Sequence, residues 1–154
     1  MDVPIDLEPG PARPLLVAID ELDRAERRLR LRVRTEMHLN NTDFTALLYV
    51  DRRERRGAPA RVGELTDYLA ISTAAATTIV NRLSGAGYVE RFADPGDGRG
   101  RTIRTTDSSR ALIDDRFGGI RAELDDLVAG VDDVEEERLL ALLHRVRDII
   151  SPLH

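Results

Sequence analysis

The fold of this chain is decided by residues 62–105, which read VGELTDYLAISTAAATTIVNRLSGAGYVERFADPGDGRGRTIRT. Up to Gly87 the apolar residues recur at steps of three and four, which is the period of a helix. Beyond Gly87 the period falls to two and β-forming residues predominate, which is typical of strands. The stretch therefore predicts two short helices followed by a hairpin.

The two short helices are predicted over 62–70 and from Thr73 to the glycines at 85–87. Ser72 precedes the second helix and is predicted to cap it, because a serine oxygen can accept a hydrogen bond from a free amide of the first turn. Two helices joined by a turn of three to four residues are typical of a helix-turn-helix.

The strands are predicted over 88–92 and 102–105, and residues 94–101 connect them. The connection contains one proline and three glycines, so we expect an exposed hairpin tip. A helix-turn-helix followed by a two-stranded hairpin forms a winged helix-turn-helix. We assign it to residues 44–106, within a mainly α fold.

Capping residues also mark other helices. Asn40 and Asp43 are spaced as a capping box and precede a further helix, and Asp107 and Ser108 are predicted to cap the helix that follows the hairpin. Apolar spacing predicts the inward residues of the helix after Asp43 and of the second short helix: Phe44, Leu47 and Leu48 in the former, and Ala75, Ala76, Ile79, Val80 and Leu83 in the latter.

Long helices are predicted on both sides of the winged helix-turn-helix. Each carries one apolar stripe on an otherwise charged surface, and such a stripe requires a partner to pack against. We therefore expect a helical dimerisation region formed by residues 15–43 and 107–154. Residues 1–14 contain four prolines and no apolar period, which predicts a flexible N-terminal arm.

Composition excludes several functional classes. The absence of cysteine removes disulfides, thiolate metal sites and cysteine nucleophiles. The three histidines, His38, His144 and His154, lack metal-ligand spacing and a partner for a catalytic triad, so we expect no cofactor, no metal site and no enzyme. No apolar run reaches the roughly 18 residues of a membrane span, and no signal peptide is evident, so we expect a cytoplasmic protein.

Charge is distributed unevenly along the chain. The formal net charge is −5, yet residues 44–106 carry 10 arginines against 7 acidic residues. All 23 basic residues are arginine, whose planar guanidinium suits bidentate recognition of phosphate and guanine. The positive segment coincides with the predicted winged helix-turn-helix, which favours double-stranded DNA as a partner.

The second helix of a helix-turn-helix presents its N-terminal residues to base edges in the major groove. The candidates there are small residues, namely Ser72, Thr73, Ala74, Thr77 and Thr78. Threonine can hydrogen-bond to several bases, and its methyl group can meet that of thymine.

Arginines and one acid extend this candidate site. Arg82, two turns further along the helix, is placed for a phosphate. Arg99 and Arg101 at the hairpin tip could enter the minor groove, whose negative potential favours a guanidinium. Asp97 is expected to orient Arg99 or a neighbouring arginine through a charge-assisted hydrogen bond.

Alternatives remain for several of these features. The basic tip could be an ordinary solvated loop, and Thr77 and Thr78 could serve solubility. The acidic pairs at 125–126 and 132–133 could suggest a metal site, but acids at 132–133 suit a helix N-terminus. The alternative function is a helical protein-interaction module that has the winged-helix fold but does not bind DNA.

Three stretches of the chain carry a family resemblance: residues 62–72, residues 79–91, and the tip Asp94-Pro95-Gly96-Asp97-Gly98-Arg99. Together they resemble the MarR family of bacterial transcriptional regulators, and the aspartate and arginine at 97 and 99 are the most specific part. The chain departs from the family pattern at Arg61, Thr66 and Ala70.

The resemblance implies an obligate homodimer whose terminal helices intertwine and which binds a pseudo-palindromic operator. It also implies a repressor that is often released from DNA by a small phenolic or carboxylate ligand. In many relatives the ligand pocket lies at the junction of the first two helices, where this chain has Arg34 and His38.

Overall fold

The computed structural model describes residues 14–94 and 97–150, and the side chains at 94, 97–100 and 150 lie outside that description. The elements in chain order are α1 (Pro14–Glu36), α2 (Asn41–Arg55), β1 (Ala60–Arg61), α3 (Val62–Leu69), α4 (Thr73–Gly85), β2 (Val89–Asp94), β3 (Asp97–Thr105), α5 (Asp107–Ala129) and α6 (Asp133–Ile150). The prediction of a mainly α winged helix-turn-helix is confirmed. Of the predicted arm, residues 1–13 lie outside the described residues.

The chain divides into two compact units, one ending at Arg110 and one beginning at Ala111. The boundary falls inside α5, so the first turn of this helix belongs with the winged helix-turn-helix. The predicted grouping of residues 15–43 with 107–154 into one dimerisation region stays a prediction. Within the described residues, no helix combines the length and apolar character needed to cross a membrane.

The first unit contains a three-stranded antiparallel sheet, with β3 between β1 and β2. Ile103 of β3 pairs with Ala60 on one side and Arg91 on the other, and it is fully buried. The wing, defined as the hairpin of β2 and β3, contains the predicted pair of strands. Both strands are longer than predicted, because their pairing continues to Asp94 and Asp97, inside the connection expected at 94–101. Strand β1 was not predicted, because two residues are too short to display a period.

One apolar core joins α2, α3, α4 and the sheet. Its largest fully buried side chains in this unit are Phe44, Leu47, Val50, Leu65, Val80, Leu83, Val89 and Ile103. Full burial of such a side chain stabilises the fold by about 1.5–3 kcal/mol. The predicted inward positions of α2 and α4 are therefore largely confirmed, although Leu48 and Ala75 are only half-buried.

Side-chain caps begin the helices α2, α4 and α6. The Asn40 side-chain oxygen accepts from the Asp43 amide at 2.8 Å, and Ser72 Oγ accepts from the Ala75 amide at 3.2 Å. Asp132 Oδ1 accepts from the amides of Val134 and Glu135. The predicted caps at Asn40 and Ser72 are confirmed, and each of the three side chains satisfies a backbone donor that the helix leaves free.

Helix α5 begins differently from the prediction. Asp107 and Ser108 were expected to cap it, but Thr106 Oγ1 accepts from the Ser109 amide at 3.2 Å. The prediction was wrong by one residue because the Thr106 amide donates to the Tyr88 carbonyl at 3.1 Å. That contact with the start of the wing fixes Thr106 as the residue before the first turn.

Helices α1 to α4 all end in the same left-handed turn. The residue with positive φ is His38 (53°), Gly57 (71°), Ala70 (52°) and Gly87 (76°), respectively. In each case the following amide donates to the carbonyl five residues earlier, as from Ile71 to Thr66 at 3.1 Å. Glycine adopts this conformation without strain, whereas His38 and Ala70 place a Cβ against the neighbouring carbonyl.

We expect Ala70→Gly to stabilise the protein by about 1 kcal/mol, because glycine removes the steric penalty of the left-handed turn between α3 and α4. Gly87→Ala is the matched control and should destabilise it by a similar amount. Urea unfolding at one fixed protein concentration measures both. An Ala70→Gly protein no more stable than the original would contradict the expectation.

A carboxylate at the end of α2 joins three elements. Glu54 Oε2 accepts from the Thr105 amide at 3.0 Å and from its hydroxyl at 2.7 Å. Glu54 Oε1 accepts from Arg110 Nη2 at 2.8 Å. Burial alone would raise the pKa of Glu54, but the hydrogen bonds from Thr105 and the charge of Arg110 together lower it below 4.5.

A lowered pKa in the folded state makes the ionised Glu54 stabilising at neutral pH. That contribution is present above pH 4.5 and is lost as the pH falls through the lowered pKa. We therefore expect Glu54→Gln to flatten the loss of stability on acidification below about pH 4.5, with the exposed Glu90→Gln as control. Equal acid dependence in Glu54→Gln and the original protein, measured by urea unfolding, would contradict this.

Candidate nucleic-acid interface

Helix α4 presents a row of small side chains to solvent. Ser72, Thr73, Ala74, Thr77 and Thr78 are all exposed, as the sequence predicted. The opposite side of the helix carries the buried residues Ala76, Ile79, Val80 and Leu83. Since residues three and four apart share a side of a helix, Thr73, Ala74, Thr77 and Thr78 form one surface, which we call the exposed face of α4.

The hydroxyl groups on this surface differ in their availability. Ser72 Oγ is occupied as the cap, and Thr78 Oγ1 donates to the Ala74 carbonyl at 3.0 Å. Thr73 and Thr77 have no side-chain hydrogen bond within the described residues. Their hydroxyl groups are therefore free to donate to, or accept from, an external ligand such as a base edge.

Arg82 has a partner inside the protein that the sequence did not predict. Its Nε donates to Asp43 Oδ2 at 2.9 Å and its Nη2 donates to Asp43 Oδ1 at 2.5 Å. The Asp43 side chain is only 6% exposed, whereas that of Arg82 is 49% exposed. The hydrogen bonds to Asp43 raise the pKa of Arg82. The pair ties α4 to the first turn of α2, and the predicted phosphate contact of Arg82 stays a prediction.

A second arginine borders α4 and was missed by the sequence interpretation. Arg91 of β2 donates from Nη2 to Asn81 Oδ1 at 2.7 Å, and both side chains are exposed. Asn81 lies three and four residues beyond Thr78 and Thr77, so it extends the exposed face of α4. That spacing was visible in the sequence, but the contribution of an arginine from the wing was not.

The wing carries further arginines. Arg101 is exposed on β3 opposite Ala93, as the prediction requires. The guanidinium of Arg104 lies 5.2 Å from the centre of the Phe92 ring, within the range of a cation–π contact. Asp97 and Arg99 belong to β3, but their side chains lie outside the described residues, so their predicted roles stay predictions.

The predicted ligand residues lie at the end of α1. Arg34 is half-buried, and His38 is exposed in the left-handed turn that ends the helix. Tyr88 Oη donates to the Met37 carbonyl at 2.7 Å, which holds this turn against the start of the wing. His38 thus has a backbone role independent of any ligand, and ligand binding by Arg34 and His38 stays a prediction.

Sequence comparisons identify relatives of this chain. Residues 39–100 match the model of the MarR family. An uncharacterised HTH-type transcriptional regulator, YcgE of Bacillus subtilis (strain 168), is 33% identical over 93 residues. That alignment spans 60% of this chain and 60% of the relative's length.

Solved structures share the fold over most of the chain. Wild-type MarR from E. coli in its apo form has a TM-score of 0.53 at 24% identity, covering 88% of this chain and 98% of its own. A MepR mutant from a multidrug-resistant S. aureus isolate has a TM-score of 0.63 at 15% identity, covering 91% and 97%. A mutant MarR from E. coli, complexed with operator DNA, has a TM-score of 0.51 at 25% identity, covering 86% and 93%.

Proposed function

The chain belongs to the MarR family, and on that premise we propose that it is a sequence-specific DNA-binding transcriptional regulator, acting as a homodimer on a pseudo-palindromic operator. The observation that carries the proposal is the exposed face of α4, a row of small polar side chains bordered by Arg82 and Arg91. The family assignment agrees with the expectation that the chain is not an enzyme. A bacterial regulator of this kind acts in the cytoplasm, where the DNA is.

The exposed face of α4 would enter the major groove. Short side chains let the helix backbone approach the bases closely, and the free hydroxyl groups of Thr73 and Thr77 supply hydrogen bonds to base edges. The methyl groups of Ala74 and Thr78 supply apolar contact with thymine. Arg82 and Arg91 lie at the border of this surface, where a guanidinium meets phosphates rather than bases.

The wing would contact the neighbouring groove. Arg101 is exposed on β3, and Arg99 follows the turn of the hairpin in the sequence. Either guanidinium suits a narrow minor groove, where the negative potential is greatest. Asp97 is proposed to orient one of them through a charge-assisted hydrogen bond.

Homodimer formation is supported by apolar side chains that the single chain leaves exposed. Large aliphatic residues on three helices are 45–73% exposed: Leu22 on α1, Leu124 and Leu127 on α5, and Leu139, Leu143 and Ile149 on α6. Monomeric proteins rarely expose contiguous apolar surface of more than a few hundred Å². We infer that a second copy of this chain covers these residues and sets the separation of the two α4 helices.

A repressor relieved by a small phenolic or carboxylate ligand is the finer part of the proposal. Such a ligand releases DNA only if it favours a separation of the α4 helices that differs from the 34–36 Å between half-sites. The guanidinium of Arg34 would pair with a carboxylate, and His38 would donate a hydrogen bond to a phenolic oxygen. The support for this part is the family resemblance and the placement of both residues at the end of α1.

We expect selection from genomic or random DNA to enrich a pseudo-palindromic site whose affinity for the protein falls steeply with salt. Thr77→Ala should relax preference at one base pair, by about 1–3 kcal/mol of discrimination, without changing the salt dependence. Thr35→Ala, an exposed threonine on α1, is the control. Failure to enrich any site would instead favour the protein-interaction module.

Light scattering should give twice the chain mass of 17.2 kDa at micromolar concentration. The double substitution Leu139→Asp and Leu143→Asp should give monomers, because it places two carboxylates on surface that the proposed dimer buries. Both positions are about half exposed in the single chain, so the helices should persist in circular dichroism. A dimeric double variant would place the interface elsewhere.

A further inference from the structure

Asp43 and Arg82 form a bidentate ion pair beside the exposed face of α4. We propose that Asp43 is a positioning residue that holds the guanidinium of Arg82 in place to receive one phosphate of the DNA backbone. This inference rests on the proposed function and adds a determinant of how α4 is seated on DNA.

The carboxylate of Asp43 is fully engaged and buried. It accepts from Asn40 Nδ2 at 2.8 Å, from Arg82 Nε at 2.9 Å and from Arg82 Nη2 at 2.5 Å. It also lies in the first turn of α2, where the helix dipole favours a negative charge. Asp43 is therefore held within the protein. Separation of Arg82 from it would leave a buried carboxylate without its cationic partner, which is unfavourable.

The guanidinium of Arg82 keeps an outer edge for a second ligand. Arginine has five N–H donors, and the pair with Asp43 uses two of them. The side chain is 49% exposed although its partner is 6% exposed, so the guanidinium spans the boundary between protein and solvent. The three remaining donors can bind phosphate oxygens while the pair stays intact.

Positioning matters because a free arginine loses side-chain freedom when it binds. Arg82 is already fixed by two parallel hydrogen bonds, so binding a phosphate adds little further ordering. The phosphate must then come to a fixed point on α4, which defines the depth and register of the helix in the groove.

Simple Coulomb reasoning predicts the opposite change in DNA affinity when the charge of Asp43 is removed. An acidic residue near DNA repels phosphates, so removing its charge should strengthen binding and leave Arg82 free. The positioning role predicts weaker binding, because Arg82 loses the partner that orients it. The two accounts therefore differ in the direction of the effect.

The chain contains a matched control for this comparison. Asp51 is also buried and also accepts from the Nε of an arginine, Arg55, at 3.0 and 2.9 Å. Both partners of that pair lie on α2, whereas Arg82 lies on α4. Asp43→Asn and Asp51→Asn make the same change in charge and volume, but only the first alters an arginine beside the exposed face of α4.

The experiment measures affinity of the full chain for its selected operator at several salt concentrations by fluorescence anisotropy. We expect Asp43→Asn and Arg82→Gln each to weaken binding about tenfold at 0.15 M salt. Each should make the dependence of log K on log salt less steep. The magnitude of the slope should fall by about 0.9 for one lost phosphate contact, or by about twice that if two copies of the chain each lose one. The double variant should be no weaker than either single one, and Asp51→Asn should keep the original slope.

Equal or tighter operator binding by Asp43→Asn with an unchanged slope would overturn the positioning role. If Asp43→Asn does not fold, as judged by circular dichroism, Arg82→Lys decides instead, because lysine keeps the charge but cannot form the bidentate pair. Original affinity and slope in Arg82→Lys would overturn the proposal. A wild-type protein that shows no salt-dependent DNA binding would overturn the proposed function itself, and this inference with it.

Discussion

Burial of one side of α4 is the constraint on which the rest of the structure depends. Ala76, Ile79, Val80 and Leu83 must pack against α2, α3 and the sheet for the first unit to have a core. Because a helix has a fixed period of 3.6 residues, that packing leaves the residues between them facing solvent. The candidate DNA-binding surface is therefore the side of α4 opposite the core. Its side chains take no part in core packing, so their identity can favour contact with DNA rather than stability.

Polar contacts then fix where this helix lies. Arg82 pairs with Asp43 of α2, and Arg91 of the wing donates to Asn81. Apolar packing is non-directional, so the core by itself would tolerate small rotations of α4 about its axis. Hydrogen bonds with defined geometry restrict those rotations. A helix whose side chains are to meet base edges requires that restriction, since a small displacement changes which atoms come within hydrogen-bond distance.

The other apolar surfaces of the chain have a different explanation. The exposed aliphatic residues of α1, α5 and α6 are not among the buried residues of the chain, yet they recur at helical spacing. Apolar residues with that regularity on helices of 18 to 23 residues are typical of surfaces that pack against another helix. The chain therefore combines a winged helix-turn-helix that has its own apolar core and would bind DNA with helices whose exposed apolar surface a second copy would cover.

Periodicity and capping residues are local properties, and for this reason the sequence alone predicted the helices, the caps at Asn40 and Ser72, the paired strands of the wing and the exposed face of α4. Contacts between distant residues leave no such pattern. Arg82 and Asp43 are 39 positions apart, and Glu54 and Thr105 are 51 apart. Strand β1 exists only because β3 lies beside it. Tertiary structure alone decided these features, because side-chain hydrogen bonds and strand pairing depend on which surfaces packing brings together.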